Sequence, residues 1–454
     1  MPQAATPPRQ RRHLHFDALV QLVRQRFARL PEQRRCPDFS LTDTLTAGLA
    51  LFSLKDPSLL AFCRRARDHN LRSVFGLKAI PSDTQMRAIL DDVDSERLRP
   101  AFKDVFRQLQ RGKILEEYVF LEGCYLVALD GVEYFRSSKV HCEHCLSCQH
   151  GNGAVSYYHQ LLGAVIVHPD FPEVIPLAPE PIQRRDGQTK NDCERNAARR
   201  WLRQFRQDHP HLPIIVTEDA LSANAPHIRD LLAARCHFIL GVKPGDHQHL
   251  FDQYRQRMEA GQVEWLQEQD AQSGASCSWQ FLNGVTLNDS NQEVLVNLLV
   301  YVQIDADGTC HQWAWVTDLT LTATNVRAVA RGGRTRWRIE NETYNTLKNQ
   351  GYHFEHNYGH GEKHLAVVMA LLMLLAFLID QVQQKCNPLF RAAWQEKGPK
   401  CALWESVRNL FAEFEVSSMR QIYEALAYGH ERPRLRPLVE QGLAASSGRG
   451  TDTS

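Results

Sequence analysis

CYLVALDG occupies residues 124–131. Its apolar run is too short for a buried helix and closes on an acid and a glycine, the pattern of a buried β-strand. Asp130 would then stand at the strand's carboxyl end. PIIVTEDAL (213–221) repeats the plan, with Ile214, Ile215, Val216 and Thr217 running into Glu218 and Asp219. If the strand continues, the two adjacent acids face opposite sides, Glu218 away from the side Asp219 serves. HQLLGAVIVH (159–168) and CHFILGVKPG (236–245) read as two further strands. A helix over 193–206 carries Arg199, Arg200, Arg203 and Arg206, a row whose plain reading is a solvated face. These signals predict an α/β core beginning at 119–245, and ligands of such sheets bind at the carboxyl ends of the strands. The bland alternative for each aspartate is a turn or helix cap.

Outward from this core, residues 1–15 are rich in Pro, Arg and Gln and are expected to be disordered. Residues 16–118 carry apolar residues at three- and four-residue spacing, as in FDALVQLVRQRFARL and LTDTLTAGLALFSL, and predict a helical N-terminal domain for DNA binding or for packing. Over 246–325, CSWQF, VTL, EVLVNLLVYVQID and CHQWAWVTDL alternate with turn signals such as Asn283-Gly284 and Asp307-Gly308, predicting a β-rich insertion. Helical patterns return over 326–385 and 386–442, and the tail 443–454 reads as disordered.

Composition narrows the function. Lys and Arg total 53 against 52 Asp and Glu, so any nucleic-acid site is a local basic patch. The N-terminus lacks the apolar stretch of a secretory signal. A cytoplasmic setting follows, in which the twelve cysteines stay reduced. The longest apolar run, LAVVMALLMLLAFLI (365–379), is 15 residues, between His364 and Asp380. A bilayer needs about 20, so this run reads as a buried helix and no membrane is expected.

RTRWRIENETYNTLKNQ (334–350) poses the chemical question. At about 3.6 residues per turn, Trp337, Glu340, Tyr344 and Leu347 share one stripe, while Glu342 lies roughly 200° from Glu340. A carboxylate on a core-facing stripe needs a positive partner. Arg336, Lys348 or a metal ion would serve. Two strand-end aspartates 89 residues apart and a glutamate 121 residues further on can together hold two divalent cations. Mg²⁺ (or Mn²⁺) so bound activates a water or 3′-hydroxyl and stabilises the leaving oxygen in phosphoryl displacement.

On ALDGVEYFRSSK, VTEDALSANAPHIRDLL, FILGVKPGDH and RTRWRIENETYNTLKNQGYHFEHNYGHG, the chain resembles the DDE transposases of bacterial insertion sequences. The resemblance spans roughly residues 80–380. It implies an RNase H-like catalytic core, split by the β-rich insertion, with Asp130, Asp219 and Glu340 catalytic. Arg336, Trp337, Ile339 and Glu340 match the Arg-Trp-x-Ile-Glu centre of the family's Tyr-Arg-Glu-Lys signature. Gly333 stands where its tyrosine belongs and Leu347 where its lysine belongs, with Lys348 one residue later. Registering on Lys348 instead makes Glu342 the rival glutamate. The implied activity is cleavage at element ends and strand transfer into target DNA, with double-stranded DNA as partner and a homo-oligomer as the working form. Arg331, Arg334, Arg336 and Arg338, then Lys348 and His360, would neutralise phosphates, Gly332-Gly333 would allow a close approach, and Trp337 would stack on a base or lie in the core. The alternatives are a metal-dependent nuclease without strand transfer and an inactive DNA-binding descendant.

VHCEHCLSCQH (140–150) spaces Cys142, Cys145 and Cys148 as C-x2-C-x2-C. Thiolates and imidazoles at that spacing suit tetrahedral Zn²⁺, with His150 as fourth ligand and His159 or Cys193 as alternatives. The plain reading is reduced thiols in a loop. An iron–sulfur cluster lacks a fourth cysteine close by.

Overall fold

Tyr125–Ser137 forms strand β1, whose residues Leu126, Val127, Ala128 and Leu129 are fully enclosed, as expected of a strand covered on both faces. In a computed structural model, residues 11–65, 69–184, 191–271, 273–429 and 435–438 are described. The strands after β1 are β2 (Leu146–Gln149), β3 (Val155–His168), β4 (Phe171–Pro176), β5 (Glu180–Ile182), β6 (Ile214–Glu218) and β7 (His237–Gly241). Then follow β8 (Glu264–Gln269), β9 (Ser276–Thr286), β10 (Leu295–Ile304) and β11 (Cys310–Thr317). They make one mixed sheet in the order β2-β3-β1-β6-β7-β11-β10-β9-β8, with β4 and β5 also pairing with β3. The molecule is thus α/β.

β1 runs antiparallel to β3 and parallel to β6, and β6 runs parallel to β7. The parallel ladder between β1 and β6 ends at Ala128 opposite Thr217. Asp130 does not end its strand, contrary to expectation. β1 continues through Gly131 because its antiparallel ladder with β3 goes on past Asp130 opposite Gly163, to Ser137 opposite Tyr157.

The segment 246–325 begins with a helix and is not a separate β unit. Trp315 pairs with Gly241 and Val316 with Leu240, so β11 joins β7 and the hairpins behind it extend the core's own sheet.

Helices α1 (Phe16–Phe27), α2 (Leu41–Leu54), α3 (Leu59–Cys63), α4 (His69–Phe75), α5 (Asp83–Asp91) and α6 (Arg99–Arg111) precede the sheet. α7 (Glu194–Asp208), α8 (Ala225–Ala233) and α9 (Gln248–Glu259) connect its strands. α10 (Val326–Thr335) leads into a π-helical turn, Ile339–Tyr344, and α11 (Asn345–Asn349). α12 (Leu365–Cys386), α13 (Pro388–Lys397), α14 (Lys400–Glu413) and α15 (Met419–Tyr428) follow, the last helices among the described residues.

α12 has 22 residues, long and apolar enough to cross a membrane, yet the chain itself encloses it. Asp380 does not stop it, because the Lys55 ammonium and the Tyr352 hydroxyl meet its carboxylate inside the protein. α1, α2, α5 and α6 pack on α12. The backbone N–H of Phe16 donates to Gln383 Oε1 (3.0 Å), and Gln383 Nε2 donates to the Leu14 carbonyl (2.9 Å). The helices of 16–118 therefore share a core with the C-terminal helices. Leu14 is buried and Arg12–Leu14 forms a 3-10 turn. The predicted tail 443–454 and residues 1–10 lie outside the described residues.

Candidate functional site

Asp130 stands two residues past Ala128 and Asp219 two residues past Thr217, the last partners of the parallel ladder. The two acids therefore lie at the same offset past the end of the ladder, Asp130 still within β1 and Asp219 just beyond β6. Asp219 is exposed just after β6, and its Oδ1 accepts the Leu221 N–H (3.0 Å). Glu218 faces the interior, 5% exposed, where His227 Nε2 lies 2.5 Å from its Oε2.

Glu340 reaches the same place from the helix. Arg336 Nη1 lies 2.8 Å from Glu340 Oε1 and 3.6 Å from Asp130 Oδ2, so one guanidinium nitrogen joins both carboxylates. Tyr344, four residues on, donates its hydroxyl to the Asp130 carbonyl (2.7 Å) from a fully buried position over Gly163, where a side chain would collide with it. Glu342 instead sits near Arg338 (3.8 Å), whose Nη2 donates to the Pro169 carbonyl.

The stripe read from the sequence breaks here. The Asn345 N–H bonds to the Glu340 carbonyl, one residue beyond α-helical reach, so the 3.6-residue register is lost through the π turn. Ile339, Tyr344 and Leu347 are buried, Glu340 is half-buried, and Trp337 is 53% exposed rather than in the core.

A fourth acid, not foreseen, joins the three. Glu194, the first residue of α7, lies so close to Gly131 that any side chain there would overlap its Oε1. Gln160 Nε2 donates to that oxygen (2.7 Å). Burial, then Asp219, pushes the Glu194 carboxyl above its usual value. Burial also raises Asp130, to about 7; Arg336 opposes the shift, and Glu340, Glu194 and Asp219 add to it. An acid at the start of a helix reads from sequence as an ordinary complement to the helix dipole, which is why Glu194 escaped notice.

An open cleft of about 470 Å³ borders Asp219 and is lined by Lys243, Trp313, Trp315, Arg336 and Trp337. The Arg336 guanidinium lies over the Trp337 ring (5.2 Å) and that of Arg334 over Trp313 (4.6 Å). The other basic residues point elsewhere: Arg331 pairs with Asp170, Arg338 turns to Pro169 and Lys348 pairs with Glu355 (2.8 Å). What approaches closely at Gly332-Gly333 is the protein's own core, Phe120 and Ile239 against the first and the Trp315 indole against the second.

A second cluster lies beyond the far end of β1. Cys142 and Cys145, in the turn after β1, meet His159 of β3 and His360 of the loop before α12, all four ligand atoms within 4.8 Å of one another. Residues in this arrangement can hold a metal ion. Cys148 and His150 do not join it. Beyond Cys145 the chain is extended as β2, and three extended residues carry Cys148 about 10 Å onward. His150 Nε2 bonds instead with Ser156 Oγ (2.9 Å). Cys193 is exposed at the N-cap of α7 beside Glu194 and does not belong to this cluster.

No protein-family model and no curated protein matches this chain.

Proposed function

We propose that this chain is a divalent-cation-dependent phosphoryl transferase acting on double-stranded DNA, a transposase of the DDE type built on an RNase H-like core. The observation that carries this reading is that Asp130 and Glu340 meet at Arg336, while Asp219, just past the neighbouring parallel strand, lines the same cleft as that arginine. The order β3-β1-β6-β7, with a parallel half and an antiparallel half meeting at the acid-bearing strand, supports it.

An all-carboxylate donor set suits Mg²⁺ or Mn²⁺. Burial, opposed by Arg336 and reinforced by Glu340, Glu194 and Asp219, raises the Asp130 carboxyl, and a bound cation would favour its ionised form. Asp130, Asp219 and Glu340 would hold two ions, which supply activation of the attacking oxygen and stabilisation of the leaving one. Around them the chain's own groups position DNA. Arg334, Lys243 and Arg336 offer positive charge for phosphates, and exposed Trp337 offers a stacking face. Assembly as a homo-oligomer on paired DNA ends belongs to the same proposal.

The test uses intact duplexes to read cleavage and pre-nicked duplexes to read joining, both from the DNA flanking the coding sequence and incubated with Mg²⁺ or Mn²⁺. Wild-type protein is expected to join ends to a target duplex. Asp130→Asn, Asp219→Asn and Glu340→Gln are each expected to slow cleavage by more than the roughly 100-fold that loss of an outer metal-site partner costs, while Glu342→Gln stays active. Nicking without joining identifies the nuclease alternative. DNA binding with no cleavage under any metal identifies a non-catalytic binder.

A further inference from the structure

We infer that Cys142, Cys145, His159 and His360 form a closed structural zinc site that ties the chain following the glutamate helix to the edge of the sheet. This goes beyond the DNA-processing reading and holds whether or not the acids bind ions.

The distances carry the inference. Zn–S bonds near 2.3 Å and Zn–N bonds near 2.05 Å in a tetrahedron imply edges of about 3.8 Å between sulfurs, about 3.6 Å between sulfur and nitrogen, and about 3.3 Å between nitrogens. Cys142 Sγ lies 3.9 Å from Cys145 Sγ. His159 Nε2 lies 3.6 Å from Cys142 Sγ and 3.5 Å from Cys145 Sγ. His360 Nε2 lies 3.2 Å from Cys145 Sγ and 3.2 Å from His159 Nε2. Five of the six edges of a zinc-sized tetrahedron are thus present, and the sixth is within 4.8 Å.

The surroundings agree. A carbonyl only accepts, so His360 Nδ1 must donate its proton to the Gly361 oxygen (2.7 Å), which leaves Nε2 of the neutral ring bare and facing the sulfurs. Cys145, His159 and His360 are all buried. Two thiols and two imidazoles brought together, three of the four groups buried, are satisfied by a shared cation. The sulfur separation excludes a disulfide. Four protein ligands fill a tetrahedron, so the site is structural rather than catalytic. It joins residues 215 positions apart, and its His360 lies in the loop between α11 and α12, directly after the helix that carries Glu340.

Purified full-length protein should contain one zinc per chain by elemental analysis. Cobalt replacement should give the d–d bands of a tetrahedral ion together with thiolate-to-cobalt charge transfer. His360→Ala should lower the zinc content more than tenfold, whereas Cys148→Ala and His150→Ala should leave it unchanged. His360→Cys, which keeps a ligand, should retain zinc and strengthen the charge-transfer band, so poor folding of the alanine variant would not obscure the answer. Folded wild-type protein without metal, whose melting temperature ignores both added zinc and chelator, overturns the inference. So does zinc that leaves with Cys148 or His150 but persists without His360.

Discussion

Burial among Glu340, Glu194 and Asp219 lifts the Asp130 carboxyl from an ordinary 3.8 to about 7 in the fold. A group with a raised folded-state value favours folding while protonated. That contribution is complete below about pH 4 and is lost as the pH rises through about 7. The metal-free protein should therefore be less stable at pH 8 than at pH 5.5, the loss having begun near pH 4 and ending near pH 7. Asp130→Asn should flatten that loss and be the more stable protein at pH 8, by about 1–3 kcal/mol. Mg²⁺ should restore stability at pH 8 in the wild type and not in the variant. Thermal melts at both pH values, with and without Mg²⁺, check this; an equally steep loss in Asp130→Asn would mean that another group titrates. A protein made more stable by removing its own acid is behaving as functional sites often do.

Between α10 and α11, a helical segment is docked on the sheet by contacts that only glycines permit. At Gly163 of β3 a side chain would collide with the Tyr344 hydroxyl, the group that ties the π turn to the Asp130 carbonyl. Gly163→Ala should cost about 1–3 kcal/mol by overpacking and should slow DNA cleavage by moving Glu340. Gly163→Ala combined with Tyr344→Phe should be less damaging than the sum of the two single changes, since the phenylalanine lacks the colliding oxygen. Strictly additive losses in urea unfolding would refute this account of the docking. At Gly333 the Trp315 indole occupies the space a side chain would need, so only glycine fits there without moving that ring.

Across the whole molecule, the N-terminal helices and the C-terminal helices close over a buried ion pair. The Lys55 ammonium meets Asp380 and lies over the Trp404 ring (3.8 Å), and Tyr352 donates to the same carboxylate (2.7 Å). Asp380→Ala leaves a buried charge without its partner and should cost about 3–5 kcal/mol, whereas Lys55→Met with Asp380→Leu should recover most of that. Urea unfolding should show far-ultraviolet dichroism and tryptophan fluorescence changing together if 16–118 and 365–428 are one cooperative unit; separate transitions would show two. From its order of residues alone, the chain declared its buried strands, its long apolar helix, the three acids and the C-x2-C pair, because local period and the placement of charge against apolar runs are written in adjacent residues. Only the tertiary structure brought Glu194 to Gly131, turned Trp337 outward, extended the sheet through β11, selected His159 among the alternative ligands, and put His360 in the place expected of Cys148. Those outcomes depend on strand register and on contacts such as that of Cys145 with His360, made across 215 residues, and no local spacing encodes a register chosen by distant packing.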